Sequence, residues 1–324
     1  MNPPTRLNEA FRVPNSIVQS LTTTTDPARG DGTGLNRLTA FQTVTLLGLM
    51  TLLHPKHPQR EVRTTPTELL GIVEVSRTVA QTVDRQWITA DGEEKSRTYA
   101  STRYSPNHVA KVNNALRTLF DKAVELKRHS SETGARQADR VVHVLDSFGY
   151  IYEREGRELD LHDLPPGVEK VNIGSNDRPV WRLCSRTDRG PRFERARWIC
   201  FRLNSELARE LGYQEGTIGF TLFARKVFGL FRKHVGSPTM IRLIILVLRQ
   251  TDRSFSRNIT QLVADLGFDA SHAGRAAGDL EAALKQLEEE HLITSFQLLP
   301  TEDTVKVEIN REWRRAERSI EANP

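Results

Sequence analysis

The apolar positions of this chain fall into helical and alternating runs separated by proline, glycine and polar stretches. LTAFQTVTLLGLMTLL, from Leu38, reads as a buried helix, and HPKHP ends it because two prolines forbid continuation. TTPTELLGIV predicts a second helix with Pro66 early in it, a favoured position. SPNHVAKVNNALRTLFDKAVEL predicts a third, since Val109, Val112, Leu116, Leu119, Phe120, Ala123 and Leu126 recur every three or four positions. Strands follow in VVHVLDSFGYIYE, PVWRLCS and RWICFRL. NSELARELGYQEG and then FTLFARKVFGLFRK, read as an amphipathic helix, brace what comes before against what comes after. The last third repeats the theme. SPTMIRLIILVLRQ is an apolar helix, NITQLVADLG a short helix stopped by Gly267, and DASHAGRAAGDLEAALKQLEEE a long amphipathic one. HLITSFQLL and TVKVEI are two strands around a turn.

Three helices and then strands, twice over, is the order of a winged helix, a fold that presents one helix to the DNA major groove. The expected fold class is therefore α+β: two tandem winged-helix domains, each of three helices and a small antiparallel sheet. Residues 1–36, rich in Pro, Thr, Gly and Asn, are expected to form a flexible N-terminal arm. Within it, FRVPNSIVQSL holds apolar residues able to dock on a partner or on the body. Residues 37–203 form the first domain, which differs from the second in a polar insertion over residues 76–102. Residues 204–310 form the linking helix and second domain, and residues 311–324 a C-terminal tail.

Composition adds little until its distribution is considered. The formal charge is +5 with 27% charged residues, a mild excess. Between residues 182 and 202, however, seven arginines (Arg182, Arg186, Arg189, Arg192, Arg195, Arg197 and Arg202) face two acids, Asp188 and Glu194. The end of the long last helix is acidic, with Glu288, Glu289 and Glu290. Segregated charge suits a molecule with one face turned to phosphates. The two cysteines, Cys184 and Cys200, lack CxxC spacing and read as buried thiols in a reducing compartment. No apolar run reaches the roughly 18 residues that span a bilayer, so a cytoplasmic protein without membrane contact is expected.

In each winged helix the N-terminal half of the third helix supplies base contacts. In the second domain that half carries Ser271, His272 and Arg275 away from the apolar stripe, with Arg275 the candidate for a bidentate guanine contact and Ser271 a cap or phosphate contact. In the first it carries Asn107, His108, Lys111 and Asn114; Asn114 suits adenine and Lys111 a phosphate. Arg186, Arg189, Arg192, Arg195 and Arg197, with Arg225, Lys226, Arg232 and Lys233 of the brace, are candidates for backbone contacts, which add affinity but no sequence information. The turn Pro300-Thr301-Glu302-Asp303 argues against a phosphate-clamping second wing. Catalysis finds no support: GDGTGLNR lacks the lysine and hydroxyl of a phosphate-binding loop, and His54 and His57 have no companion ligands. No metal, cofactor or enzymatic activity is expected.

Three segments resemble the plasmid replication initiators, tandem winged-helix proteins that bind repeated origin sites. RVPNSIVQSL is similar to their short arm motif. ICFRLNSELARELGYQEGTIGFTLFARKVFGLFRKHVGSPTMIRLIILVLRQ is similar to the junction between their modules. ITQLVADLGFD, the following amphipathic helix and EEEHLITSFQL resemble their second helix, recognition helix and strand. The resemblance implies binding to repeated duplex sites, opening of adjacent AT-rich DNA, recruitment of host replication proteins and a monomer–homodimer switch. The polar insertion and the nearly base-free second wing depart from it. A winged-helix transcriptional regulator or an architectural DNA-binding protein is the alternative reading of the same residues, and a protein-docking scaffold a more remote one.

Overall fold

The computed structural model describes residues 10–23, 35–73, 78–88, 94–103, 106–126, 140–154, 157–187, 190–194, 196–211, 219–268 and 273–310. Its elements are α-helices and several small antiparallel sheets, an α+β arrangement. The first two, β1 (Ala10–Pro14) and α1 (Asn15–Thr22), correct the expectation of a flexible arm. Val13, Ile17, Val18 and Leu21 are completely buried, so these residues contribute to the core rather than trailing from it. Residues 1–9, 24–34 and the tail 311–324 lie outside the described residues.

The first half then builds as its local chemistry directs. Helix α2 (Ala40–Met50) starts at Thr39, whose hydroxyl accepts from the Gln42 N–H while the Gln42 side chain accepts from the Thr39 N–H, a reciprocal cap. It is buried nearly all round, and Gly48 permits close packing, since a Cβ there would lie 2.9 Å from Val73 Cγ1. After β2 (Val62–Thr64), helix α3 (Pro66–Ile72) has Pro66 in its first turn, as the sequence predicts, with Thr65 as its cap. The polar insertion is an antiparallel ribbon of β3 (Thr78–Ile88) and β4 (Glu94–Arg103). Helix α4 (Pro106–Asp121) buries Val112, Leu116, Leu119 and Phe120 on one stripe. It stops earlier than its periodicity predicts: Ala123 and Leu126 belong to β5 (Ala123–Leu126), paired with β6 (Arg140–His143). Cross-strand partners 14 or more residues away outweigh the local helical pattern. Then come β7 (Leu145–Ile151), the two-residue pair β8 (Glu153–Arg154) and β9 (Arg157–Glu158), β10 (Val168–Asn172), β11 (Trp181–Thr187), β12 (Gly190–Phe193) and β13 (Trp198–Leu203).

The second half opens with α5 (Ser205–Glu210), β14 (Phe220–Ala224) and α6 (Val227–Lys233). The expected bracing helix is thus split. FTLFA is a strand because β1 pairs with it along its length, from Ala10 opposite Ala224 to Pro14 opposite Phe220. Helix α7 (Pro238–Arg249) follows, capped by Ser237, then β15 (Ser254–Asn258) and α8 (Ile259–Leu266), capped by Asn258 and closed by Gly267 at φ 75°. Helix α9 (Ala273–Glu289) leads to β16 (Ile293–Leu299) and β17 (Thr304–Ile309).

Both halves share one connectivity. In each, a strand between the first two helices pairs with the last strand, which also pairs with a strand that follows the third helix, β2-β13-β7 and β15-β17-β16, although in the first half β5 and β6 come between α4 and β7. The sequence pattern misses β2 and β15, whose residues VRT and SFSRN are short and polar. They form because the last strand offers an open edge with unpaired backbone groups. The two halves meet through α1 and α2, which both pack on α7, in one continuous apolar core.

Arg242 crosses that junction. It is 8% exposed, donates from Nη1 to the Leu266 carbonyl (3.0 Å) and from Nη2 to the Leu38 carbonyl (3.3 Å), and so ties the end of α8 to the segment before α2. Burial lowers its pKa below the ordinary guanidinium value.

Candidate nucleic-acid interface

Helix α4 turns one face outward. Asn107, Lys111 and Asn114 are exposed there, and Arg117 continues the line at helical spacing. The sequence reading overlooks Arg117, although its spacing from Asn114 and Lys111 could have revealed it. His108 does not join this face: it is half-buried, and its Nδ1 is enclosed without a hydrogen-bond partner among the described residues. Asn113, one position from Asn114, accepts a hydrogen bond from the Tyr150 hydroxyl at 3.1 Å. That contact fixes the helix's rotation on the sheet.

Tyr150 also carries the line of contacts to the arginine-rich segment. The Arg182 guanidinium lies 5.1 Å from the Tyr150 ring centre and 4.4 Å from that of Phe193, within cation–π reach of both rings. Burial raises the Tyr150 hydroxyl above its usual pKa, against the opposing pull of Arg182. Strands β10, β11 and β12 make a three-stranded sheet in the connection between β7 and β13. Arg178, before β11, fastens it further. Its guanidinium sits 3.8 Å over the Phe120 ring and donates to the carbonyls of Phe120 and Leu145, which anchors the sheet to the end of α4.

The candidate phosphate contacts on this sheet differ in their surroundings. Arg192 is exposed at the register position of Ser185. Arg186 is exposed but ion-paired with Glu169 at 2.9 Å, and Arg197 lies 3.6 Å from Glu153. Such exposed pairs are weak and exchange readily for a phosphate. Arg189 and Arg195 lie outside the described residues.

In the second half Arg275 is exposed on the first turns of α9, beside exposed Gly278 and Asp279. Ala276, Leu280, Ala283, Leu284 and Leu287 bury the opposite stripe. Ser271 and His272 lie outside the described residues. Farther along, Lys285 is held by Glu281 at 2.7 Å and the helix becomes acidic, so its cationic character is confined to its N-terminal part. On α6 and the turn before it, Lys226, Arg232 and Lys233 are exposed and Arg225 is half-buried. Lys233 (3.5 Å) and buried His234 (3.0 Å) both approach Glu290, joining the ends of α6 and α9.

The turn between β16 and β17 serves the fold. The Asp303 carboxylate accepts from the backbone N–H and the hydroxyl of Thr260, both at 3.0 Å, at the start of α8. Slight desolvation pushes that carboxyl up, but these bonds and one from Asn258 hold it below its ordinary pKa. A carboxylate engaged in this way offers nothing to a phosphate. Cys184 and Cys200 are free thiols, Cys184 buried and Cys200 partly so, and burial raises the Cys200 pKa. No helix among the described residues is long and apolar enough to cross a membrane.

Comparison of the sequence with protein families and with curated proteins finds no match. Among solved structures the chain is similar to a crystal structure of domains 2 and 3 of RctB, at 12% identity and a TM-score of 0.43, over 96% of this chain and 94% of that one. The likeness is too distant to define a shared fold.

Proposed function

We propose that this chain binds duplex DNA through two winged helices in tandem, with α4 and α9 as their recognition helices. The observation that carries the reading is the repeated connectivity. Each half has a strand between its first two helices and two later strands in the sheet order first–last–middle, with further strands inserted in the first half, and the outer face of the third helix is exposed. Their wings divide the work. In the first unit the connection between the last two strands is enlarged into the β10–β12 sheet carrying Arg186, Arg192 and the ring-stacked Arg182, suited to phosphates. In the second the wing is a short acidic turn, so its DNA contact rests on Arg275 and the start of α9.

Within this reading the chain acts as a plasmid-type replication initiator at directly repeated origin sites, opening adjacent DNA and recruiting host replication proteins. The three resembling segments support that choice. Two of them, the arm motif and the module junction, lie about 200 residues apart yet meet as the pair β1–β14 beside α7. A protein that shares only a groove-reading helix has no need of that arrangement.

Selection of bound duplexes from a random pool tests both levels. Recovery of one preferred sequence is expected, and Arg275→Ala should weaken its binding by about 1–3 kcal/mol while leaving nonspecific binding nearly unchanged. Equal losses on both kinds of DNA would demote Arg275 to a backbone contact. Protection of direct repeats beside an AT-rich block supports initiation; a lone palindrome upstream of the gene supports a regulator instead.

A further inference from the structure

Asn113 and Arg117 are one helical turn apart on α4, so their side chains lie one above the other. Asn113 accepts the Tyr150 hydroxyl at 3.1 Å, and Arg117 is near enough to act on that hydroxyl electrostatically. Arg182 reaches the same ring from β11, 5.1 Å from its centre. Two guanidinium groups, one from the proposed recognition helix and one from the enlarged wing, therefore flank a single tyrosine.

Their surroundings leave both charges uncompensated. Burial raises the Tyr150 pKa while Arg182 and Arg117 lower it; the balance is upward, so the hydroxyl is neutral and supplies no countercharge. On the wing, Glu169 is taken by Arg186 at 2.9 Å, and Glu194 offers Arg182 only its backbone carbonyl, at 3.3 Å. Asp121 lies one turn beyond Arg117 on α4 and makes no ion pair with it. Among the described residues neither arginine has an ion pair, and Arg182 Nε has no hydrogen-bond acceptor.

Like charges drawn together in a partly desolvated setting repel, and a bound anion reverses the sign of that term. A phosphodiester suits the pair, because the planar guanidinium fork matches phosphate oxygens. Phe193, 46% exposed and on the same sheet face as Arg182, offers an apolar flank to the adjoining deoxyribose. Arg178, which ties the sheet to the end of α4, holds the two guanidinium groups at a fixed spacing.

We propose that Arg117 and Arg182 together hold a single backbone phosphate of the duplex, at the seam between α4 and the β10–β12 sheet. The site rests on the DNA-binding reading above and adds a positioning device to it. A phosphate gripped from both elements fixes how α4 sits in the groove.

Phosphate-ethylation interference tests this with the full chain and a duplex recovered by selection. Ethylating one phosphate at a time blocks its contact, and the wild type should show a set of sensitive positions. Arg117→Gln, an exposed replacement, and Arg182→Gln should each lose sensitivity at the same single position. The remaining positions should stay as in the wild type, which also reports that each variant is folded. Arg182→Lys, which keeps a cation beside the rings, should weaken that position and no other. In the double variant the slope of log affinity against log salt should fall by about 1, the effect of one phosphate. Loss at two different positions, a fall of about 2, or an unchanged pattern in both variants would overturn the shared site and leave the recognition helices standing. A wild-type chain that recovers no duplex would overturn both.

Discussion

Gly267 and Arg242 together set how the second unit is fixed to the first, and a double-mutant cycle measures their coupling. Gly267 closes α8 in the left-handed region at φ 75°, where an L residue costs about 1–2 kcal/mol. A Cβ at that position would lie 2.7 Å from Arg242 Nη1. The guanidinium would have to move, giving up its bond to the Leu266 carbonyl, a charge-assisted contact of about 1.5–3 kcal/mol. Gly267→Ala should therefore destabilise the chain by about 2.5–5 kcal/mol, the sum of the two terms. In an Arg242→Met background the collision is absent, and the same change should cost only the backbone part, about 1–2 kcal/mol. Urea denaturation followed by far-ultraviolet circular dichroism gives all four stabilities. The expected coupling is about 1.5–3 kcal/mol. Additive losses would mean that Arg242 shifts without penalty, and that its bridge between Leu38 and Leu266 does not hold the halves together.

Two further outcomes follow from the docking of β1 and α1. Leu21 is fully buried, so Leu21→Ala should cost about 2–5 kcal/mol in urea denaturation; an unchanged midpoint would show that α1 is not seated on the core in solution. Glu210 accepts from the Ser16 backbone N–H (3.1 Å) and from the Ser16 hydroxyl, while burial raises its pKa against the pull of those bonds. The folded state thus holds the Glu210 proton more tightly than the unfolded chain does. Its contribution is fully present below the unfolded value, about 4.3, and is lost as pH rises through the raised folded value. The melting temperature of the wild type relative to Glu210→Gln should accordingly fall across that window. A difference that stays flat with pH would remove Glu210 as the source.

Much of this architecture can be read from local chemistry, because caps, prolines and helical stripes act within a few residues. Thr65 with Pro66, Ser237 with Pro238, and Gly267 mark helix ends whatever the rest of the chain does. The outward position of Lys111, Asn114 and Arg275 follows from the stripes opposite them, and Arg117 obeys the same spacing. Sequence alone also determined the concentration of arginines between residues 182 and 202.

Only the tertiary structure decided what depends on partners distant in the chain. FTLFA became a strand because β1, far earlier in the chain, lies along it, and the same pairing goes with the burial of Val13, Ile17, Val18 and Leu21 of the expected flexible arm. β2 and β15 carry no apolar alternation; the open edges of β13 and β17 recruit them. Nothing in the sequence around Arg242 shows that the meeting of α2, α7 and α8 closes over it and supplies two carbonyls.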